Sequence, residues 1–290
     1  MSQQKTLRLT YPQWQGGVNP NYVFGADLIA AIAPSSTTDE YITIEVAKDF
    51  DAPLQPVDGV DFGGALLTQM EKTRQILEDK QPDRLIVFGG DCSVSQVPFD
   101  YLSGKYGTKI GILWLDAHPD ISGPETSSHL HEMPLSDLLG INPGSEITQV
   151  AHPLSPSKVF LAGLIEERLR PMDQACKDLK LRIASPEALV KDSSVVLDWI
   201  RQEHLAYLAV HWDLDVLSPA DFRSIYPGEP YLDVATFPAA VGRMKLDEVG
   251  RLLTDISSVA EIVGLSITEH LPWDAFRMRK LLSNISIFNG

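Results

Sequence analysis

The sequence predicts an α/β protein in which one mostly parallel sheet is covered by helices on both faces. Three observations lead there. Short apolar, β-branched runs recur along the 290 residues with helical patterns between them. No internal repeat or low-complexity linker interrupts the alternation. The residues able to do chemistry follow directly after apolar runs, where open α/β sheets present their ligands. A single domain over 1–290 is the expected organisation.

Strands are predicted at Thr6–Leu9, Tyr41–Val46, Arg84–Phe88, Ile110–Leu115, Lys158–Leu161, Leu181–Ile183, Tyr207–Trp212 and Ile262–Ile267, each a compact apolar run. Helices are predicted at Tyr22–Ile32, Ala65–Asp79, Ser95–Leu102, Glu166–Lys177, Ser194–Glu203, Pro238–Leu253 and Asp274–Ile287. Gly63 and Gly64 precede the second helix and Pro82 follows it, both sensible ends. The Pro- and Ser-rich stretch from Gly144 to Ser157 reads as a surface loop.

An apolar content of 44% suits a globular chain with a sizeable core. The formal net charge of −15 excludes a nucleic-acid partner, which needs a basic footprint, and disfavours an anionic membrane surface. No secretory leader and no apolar run of about 18 residues is visible, so a membrane span is not expected. With Cys92 and Cys176 in different contexts no disulfide framework is expected, and the cytoplasm is the default compartment.

The segments WLDAHPDI and HWDLDVLSP carry the chemistry. The first spaces Asp116, His118 and Asp120 two apart; the second does so with Asp213 and Asp215. In an extended chain such residues point to one side. Carboxylates and an imidazole gathered without Lys or Arg repel one another, and a pair of divalent cations relieves that repulsion. Two metals close together also lower the pKa of a shared water, which predicts a two-metal hydrolase. The competing reading makes Asp116 and Asp213 turn formers at strand ends.

Taken in order, GGDCSVS, WLDAHPDI, LHEMPLS, HWDLDVLSP and SITEH resemble the ureohydrolase family, which includes arginase and agmatinase. The resemblance implies a three-layer αβα sandwich around an eight-stranded, mainly parallel sheet. It implies two manganese ions bound by Asp116, His118, Asp120, Asp213 and Asp215, and a metal-bridging hydroxide that attacks the carbon of a guanidinium-like group. His131 matches the histidine that delivers a proton to the leaving amine, with His129 two residues earlier. Glu269 matches the carboxylate that pairs with the guanidinium, a planar fork suited to bidentate recognition.

Cys92 stands where most members carry His. Read as a ligand, its thiolate adds a negative charge, weakens the metals as Lewis acids and moves preference toward softer ions. Read otherwise, it is a small buried apolar residue. A branch acting on Nω-hydroxyarginine is similar in having Cys here and a histidine at the position of His211. The region that holds the amino-acid end in arginases carries Ser122, Ser127 and His129, and Glu166 or Glu167 is the candidate for the α-amino group. Arg168 replaces the expected acidic residue by simple counting, and is read as a solvated helix residue.

The leading expectation is therefore an amidinohydrolase with two manganese ions, acting on a small guanidino or hydroxyguanidino compound. A second is a formimino or amidine hydrolase of the same fold. A third is a metal-poor, non-catalytic relative, against which His131 and Glu269 argue because neither is needed to hold a fold. The resemblance also implies a homo-oligomer, although no interface is readable in the chain.

Overall fold

The computed structural model describes residues 4–142, 144–285 and 287. Eight strands form one sheet: β1 (Thr6–Tyr11), β2 (Glu40–Thr43), β3 (Arg84–Gly89), β4 (Ile110–Leu115), β5 (Val159–Ala162), β6 (Arg182–Ala184), β7 (Tyr207–Asp213) and β8 (Glu261–Thr268). Their order is β2-β1-β3-β8-β7-β4-β5-β6, and every neighbouring pair is parallel. All eight coincide with predicted strands. They were legible because a strand covered on both faces is apolar throughout: each residue of β4, IGILWL, is buried.

The α-helices are α1 (Asn21–Ile32), α2 (Gly63–Lys80), α3 (Gln96–Tyr106), α4 (Pro134–Leu138), α5 (Ala175–Asp178), α6 (Pro186–Lys191), α7 (Ser194–Gln202), α8 (Leu246–Ser257) and α9 (Trp273–Ser283). Strand alternation divides the core in two. Ile110, Ile112 and Trp114 of β4 join Leu66 and Met70 of α2, Phe99 and Leu102 of α3, and Leu135 of α4. Leu113 and Leu115 turn to the other face, against Val196 and Trp199 of α7 and Val249, Leu252 and Ile256 of α8. The three α8 side chains recur at helical spacing, and each fully buried one stabilises the layer by about 1.5–3 kcal/mol. This is the three-layer arrangement expected, with the sheet parallel throughout.

Three helices differ from expectation. Glu166–Lys177 is two 3-10 turns, Glu166–Arg168 and Pro171–Asp173, followed by the short α5. Pro171 has no N–H to donate and biases Arg170 away from helical torsions, so a continuous helix cannot cross it. The segment expected from Pro238 becomes helical only at Leu246, where the Glu248 carboxylate accepts from the Lys245 N–H at 2.8 Å. The last helix ends at Ser283, and position 286 of the expected span lies outside the described residues. The short α4 and α6 went unread. Among the described residues no helix is long and apolar enough to cross a membrane, and both cysteines are free and buried.

Candidate active site

The four central strands, β3, β8, β7 and β4, each deliver one chemically active segment to the same end of the sheet. At the exit of β3, Gly90 passes so close to the neighbouring chain that a Cβ there would lie 1.7 Å from the Gln13 carbonyl oxygen. Asp91 then caps the 3-10 turn Cys92–Ser95 by accepting from the Ser93 N–H. Cys92 Sγ lies 2.9 Å from Asp213 Oδ2 and 3.6 Å from Glu269 Oε1.

Beyond β4, Asp116 Oδ1 accepts from the His118 N–H at 2.6 Å, and Oδ2 from the Trp114 indole at 3.1 Å. His118 Nδ1 reaches Asp215 Oδ2 at 3.1 Å. Beyond β7, Asp213 Oδ1 accepts from the Asp215 N–H at 2.7 Å and opens a 3-10 turn over Leu214–Val216. The pairs therefore converge by turns and not by strand pleat, because His118, Asp120 and Asp215 all lie past the strand ends. Asp116 and Asp213 are turn formers and cluster members at once, so the two readings of these aspartates are compatible. Asp120 and Glu269 hold left-handed torsions, φ 44° and 60°, a cost that concentrates at functional sites.

His131 Nδ1 lies 2.9 Å from Glu269 Oε1. Asp91 positions it indirectly: its Oδ2 accepts from the Gly16 and Gly17 N–H groups, and the Gly16 carbonyl accepts from the His131 N–H. A Cβ on Gly17 would stand 2.7 Å from the Tyr22 ring and 3.3 Å from His131 Nδ1. These groups open on a cavity of about 620 Å³, lined by Cys92, His118, Asp120, Asp213, Asp215 and Glu269 and, farther along, by His129, His131, Arg170, Tyr226, Phe237 and Trp273.

The electrostatics are those of a site short of positive charge. Burial, and then the neighbouring Asp215, raise Asp116 to about 6. Burial raises Asp120 and Asp213 well above the carboxylate range, helped by Asp116 and Asp215 respectively. Burial and Asp213 push the Cys92 thiol up. Against burial, the Asp215 charge raises His118 well above the imidazole range, and His118 in turn lowers Asp215. Burial lowers His131, but the hydrogen bond and charge of Glu269, with the Glu132 and Asp91 charges, together raise it to about 8.

The donor set fits divalent cations. Cys92, Asp213 and Glu269 bring ligand atoms within 4.8 Å of one another, as do Asp116, His118 and Asp215. His118 Nε2, Asp120 Oδ2 and Asp215 Oδ1 are buried without a hydrogen-bond partner, a costly state that coordination would relieve.

The groups expected to hold the substrate's far end are placed differently. His129 lines the cavity, whereas Ser122 and Ser127 donate to Glu132, one to its carbonyl at 2.6 Å and the other to its carboxylate at 2.5 Å. Both serines brace the loop that carries His131. Glu166 is exposed, in the 3-10 turn Glu166–Arg168, and lies outside the lining. Arg168 is exposed as expected, and its guanidinium also donates to the Phe237 and Ala239 carbonyls at 3.3 and 3.4 Å. Arg170 went unread; it lines the cavity and is held by Glu132 and Asp173. Asp91 was visible in GGDC, but nothing in the pattern told of its role in the Gly16–Gly17 turn.

A family model described as the Arginase family matches residues 21–273. In sequence, the chain is 26% identical over 180 residues to an arginase of Entamoeba histolytica, 56% of this chain and 58% of that protein. It is 28% identical over 181 residues to an arginase of Bacillus subtilis, 59% and 58% of the respective lengths. The chain thus spans less than two thirds of these relatives. Among solved structures it resembles the Entamoeba arginase with TM-score 0.72 at 18% identity, covering 94% of this chain and 93% of that one. It resembles the Bacillus caldovelox arginase with TM-score 0.71 at 20% identity, covering 93% and 92%. A Bacillus subtilis formimidoylglutamase shares the fold at TM-score 0.58 and 15% identity, covering 94% and 81%.

Proposed function

This chain belongs to the Arginase family, and from that premise we propose that it is a single-domain, binuclear-metal hydrolase that cleaves a C–N bond of a guanidino or hydroxyguanidino compound. One observation carries the reading: the exits of β4 and β7 bring buried, partnerless carboxylate and imidazole atoms to one cavity, beside Cys92 and Glu269 from the exits of β3 and β8. Cys92, Asp116, His118, Asp120, Asp213 and Asp215 are the proposed ligands. Manganese is the proposed metal, since most of the donors are hard oxygens. Bound there, two such ions supply a nucleophilic water at neutral pH.

The remaining groups act on the substrate. The Glu269 carboxylate aligns the planar guanidinium-like fork. Raised to about 8, His131 carries its proton at neutral pH, with Nδ1 turned to Glu269. It donates that proton to the amine nitrogen as the C–N bond breaks, and its 22% side-chain exposure lets it recover one from solvent. Arg170 and His129, near the mouth, suit a carboxylate at the substrate's other end.

The test is a substrate panel on the manganese-reconstituted protein: arginine, Nω-hydroxyarginine and a formimino acid. Release of urea or hydroxyurea supports the proposal, and preference for the hydroxylated substrate fits the more negative Cys92 site. Turnover of the formimino compound alone replaces it with the amidine reading. No turnover on any, with metal bound, removes the catalytic assignment.

A further inference from the structure

His211 has no part in the site as described, yet its surroundings are those of a metal ligand. It stands in β7 opposite Trp114 of β4, and its ring stacks on that indole at 3.7 Å with 14° between the planes. The side chain is fully buried. Nδ1 lies 2.8 Å from Ser95 Oγ and 3.2 Å from Ser266 Oγ, and those hydroxyls are 2.8 Å from each other. Nε2, across the ring, has no hydrogen-bond partner and lies 3.8 Å from Asp116 Oδ2. One potential ligand atom each from Cys92, Asp116, Asp120 and His211 fall within 4.8 Å of one another.

We infer that His211 Nε2 coordinates one of the two divalent ions, completing a Cys92–Asp116–Asp120–His211 donor set. A ligating imidazole donates its other N–H to a fixed acceptor, which sets the tautomer and the ring orientation. Ser95 and Ser266 provide that acceptor, leaving the Nε2 lone pair facing the cluster. The Trp114 stack blocks ring rotation, and the same indole holds Asp116 Oδ2, so two members of the set share one rigid support. A neutral nitrogen also adds a donor to an overcrowded anionic site without adding charge. The competing arrangement is an Nε2–H that donates to Asp116 and only orients it.

The inference rests on the binuclear-metal reading and is tested with cobalt(II) alone, without substrate. In the cobalt-loaded wild type, proton NMR should show two exchangeable, hyperfine-shifted imidazole N–H resonances, from His118 and His211. His211→Phe keeps a flat ring on Trp114 and leaves the two serines bonded to each other. It should lose one resonance and weaken one ion by more than about 100-fold, beyond the roughly 10–100-fold of losing an outer-shell partner. Ser266→Ala should keep both resonances and stay within that range. A single such resonance in the wild type overturns the inference without any variant, as does a folded His211→Phe protein with wild-type cobalt affinity. Wild type that binds two ions with one imidazole refutes only this assignment. Wild type that binds none refutes the metal reading as well.

Discussion

Cys92 Sγ and Asp213 Oδ2 lie 2.9 Å apart, although 121 positions separate them in sequence. The contact joins the exits of β3 and β7 across the intervening β8. In the ion-free protein the thiol is held protonated by burial and by that carboxylate. A metal entering between them must displace the proton.

The first prediction concerns that proton. Titrating the metal-free protein with cadmium should release it and produce an ultraviolet thiolate-to-metal charge-transfer band. Cys92→Ser should abolish the band, while Cys176→Ser, in another part of the core, should retain it. An unchanged band in Cys92→Ser would show that the sulfur is not a ligand.

Asp213→Asn should move stability and metal binding in opposite directions. Removing one carboxylate from a repelling cluster should stabilise the ion-free protein near pH 8 by about 1 kcal/mol or more, one pKa unit being roughly 1.4 kcal/mol. The Asp215 N–H keeps an amide oxygen to donate to. Calorimetric melting and elemental analysis together test this: a higher melting temperature with less bound manganese is expected, and a lower one with manganese retained refutes it.

His131 should titrate near pH 8 in the ion-free wild type, as imidazole proton shifts would record. In Glu269→Gln the carboxylate is lost while burial persists, so the midpoint should fall to or below the ordinary 6.5. Since the folded value lies above the unfolded one, this pair stabilises the fold fully below about 6.5, and its contribution disappears as pH rises through 8. A midpoint unmoved by Glu269→Gln would detach His131 from that carboxylate.

His131→Ala should lower turnover by roughly a hundredfold or more while leaving metal content unchanged. Glu269→Gln should chiefly raise KM, because it weakens alignment of the substrate fork. Steady-state kinetics paired with metal analysis separates these effects. Loss of metal with unaltered kinetics in the Glu269 variant would reassign it to the ion site.

The strands were readable because burial on both faces leaves no polar alternation to confuse them, as IGILWL illustrates. The placement of Cys92, Asp116, Asp213 and Glu269 followed, since each comes at the end of such a run. What could not be read depends on contacts distant in sequence. Glu166 and Arg170 lie within one short stretch, yet only Arg170 reaches the cavity, held there by Glu132. The start of α8 was misplaced because Pro238 resembles a helix opening, while the effective signal is the Lys245–Glu248 contact. His211 stands out in sequence only by its likeness to the Nω-hydroxyarginine branch; the surroundings that suit it to a metal come from Trp114, Ser95 and Ser266, which only the assembled sheet brings to it.

The strand order has a consequence for assembly. β3 and β4, from the first half of the chain, are separated in the sheet by β7 and β8, from its last third. If Cys92 and Asp116 share an ion as proposed, no early intermediate lacking those two strands could bring them to it, and tight metal uptake and completion of the sheet would be a single cooperative event. By mass action, free metal at a hundredfold above its dissociation constant then adds about 2.7 kcal/mol to the whole fold, not to one loop. Starving the nascent chain of metal would accordingly lower its folded yield even where no activity is measured.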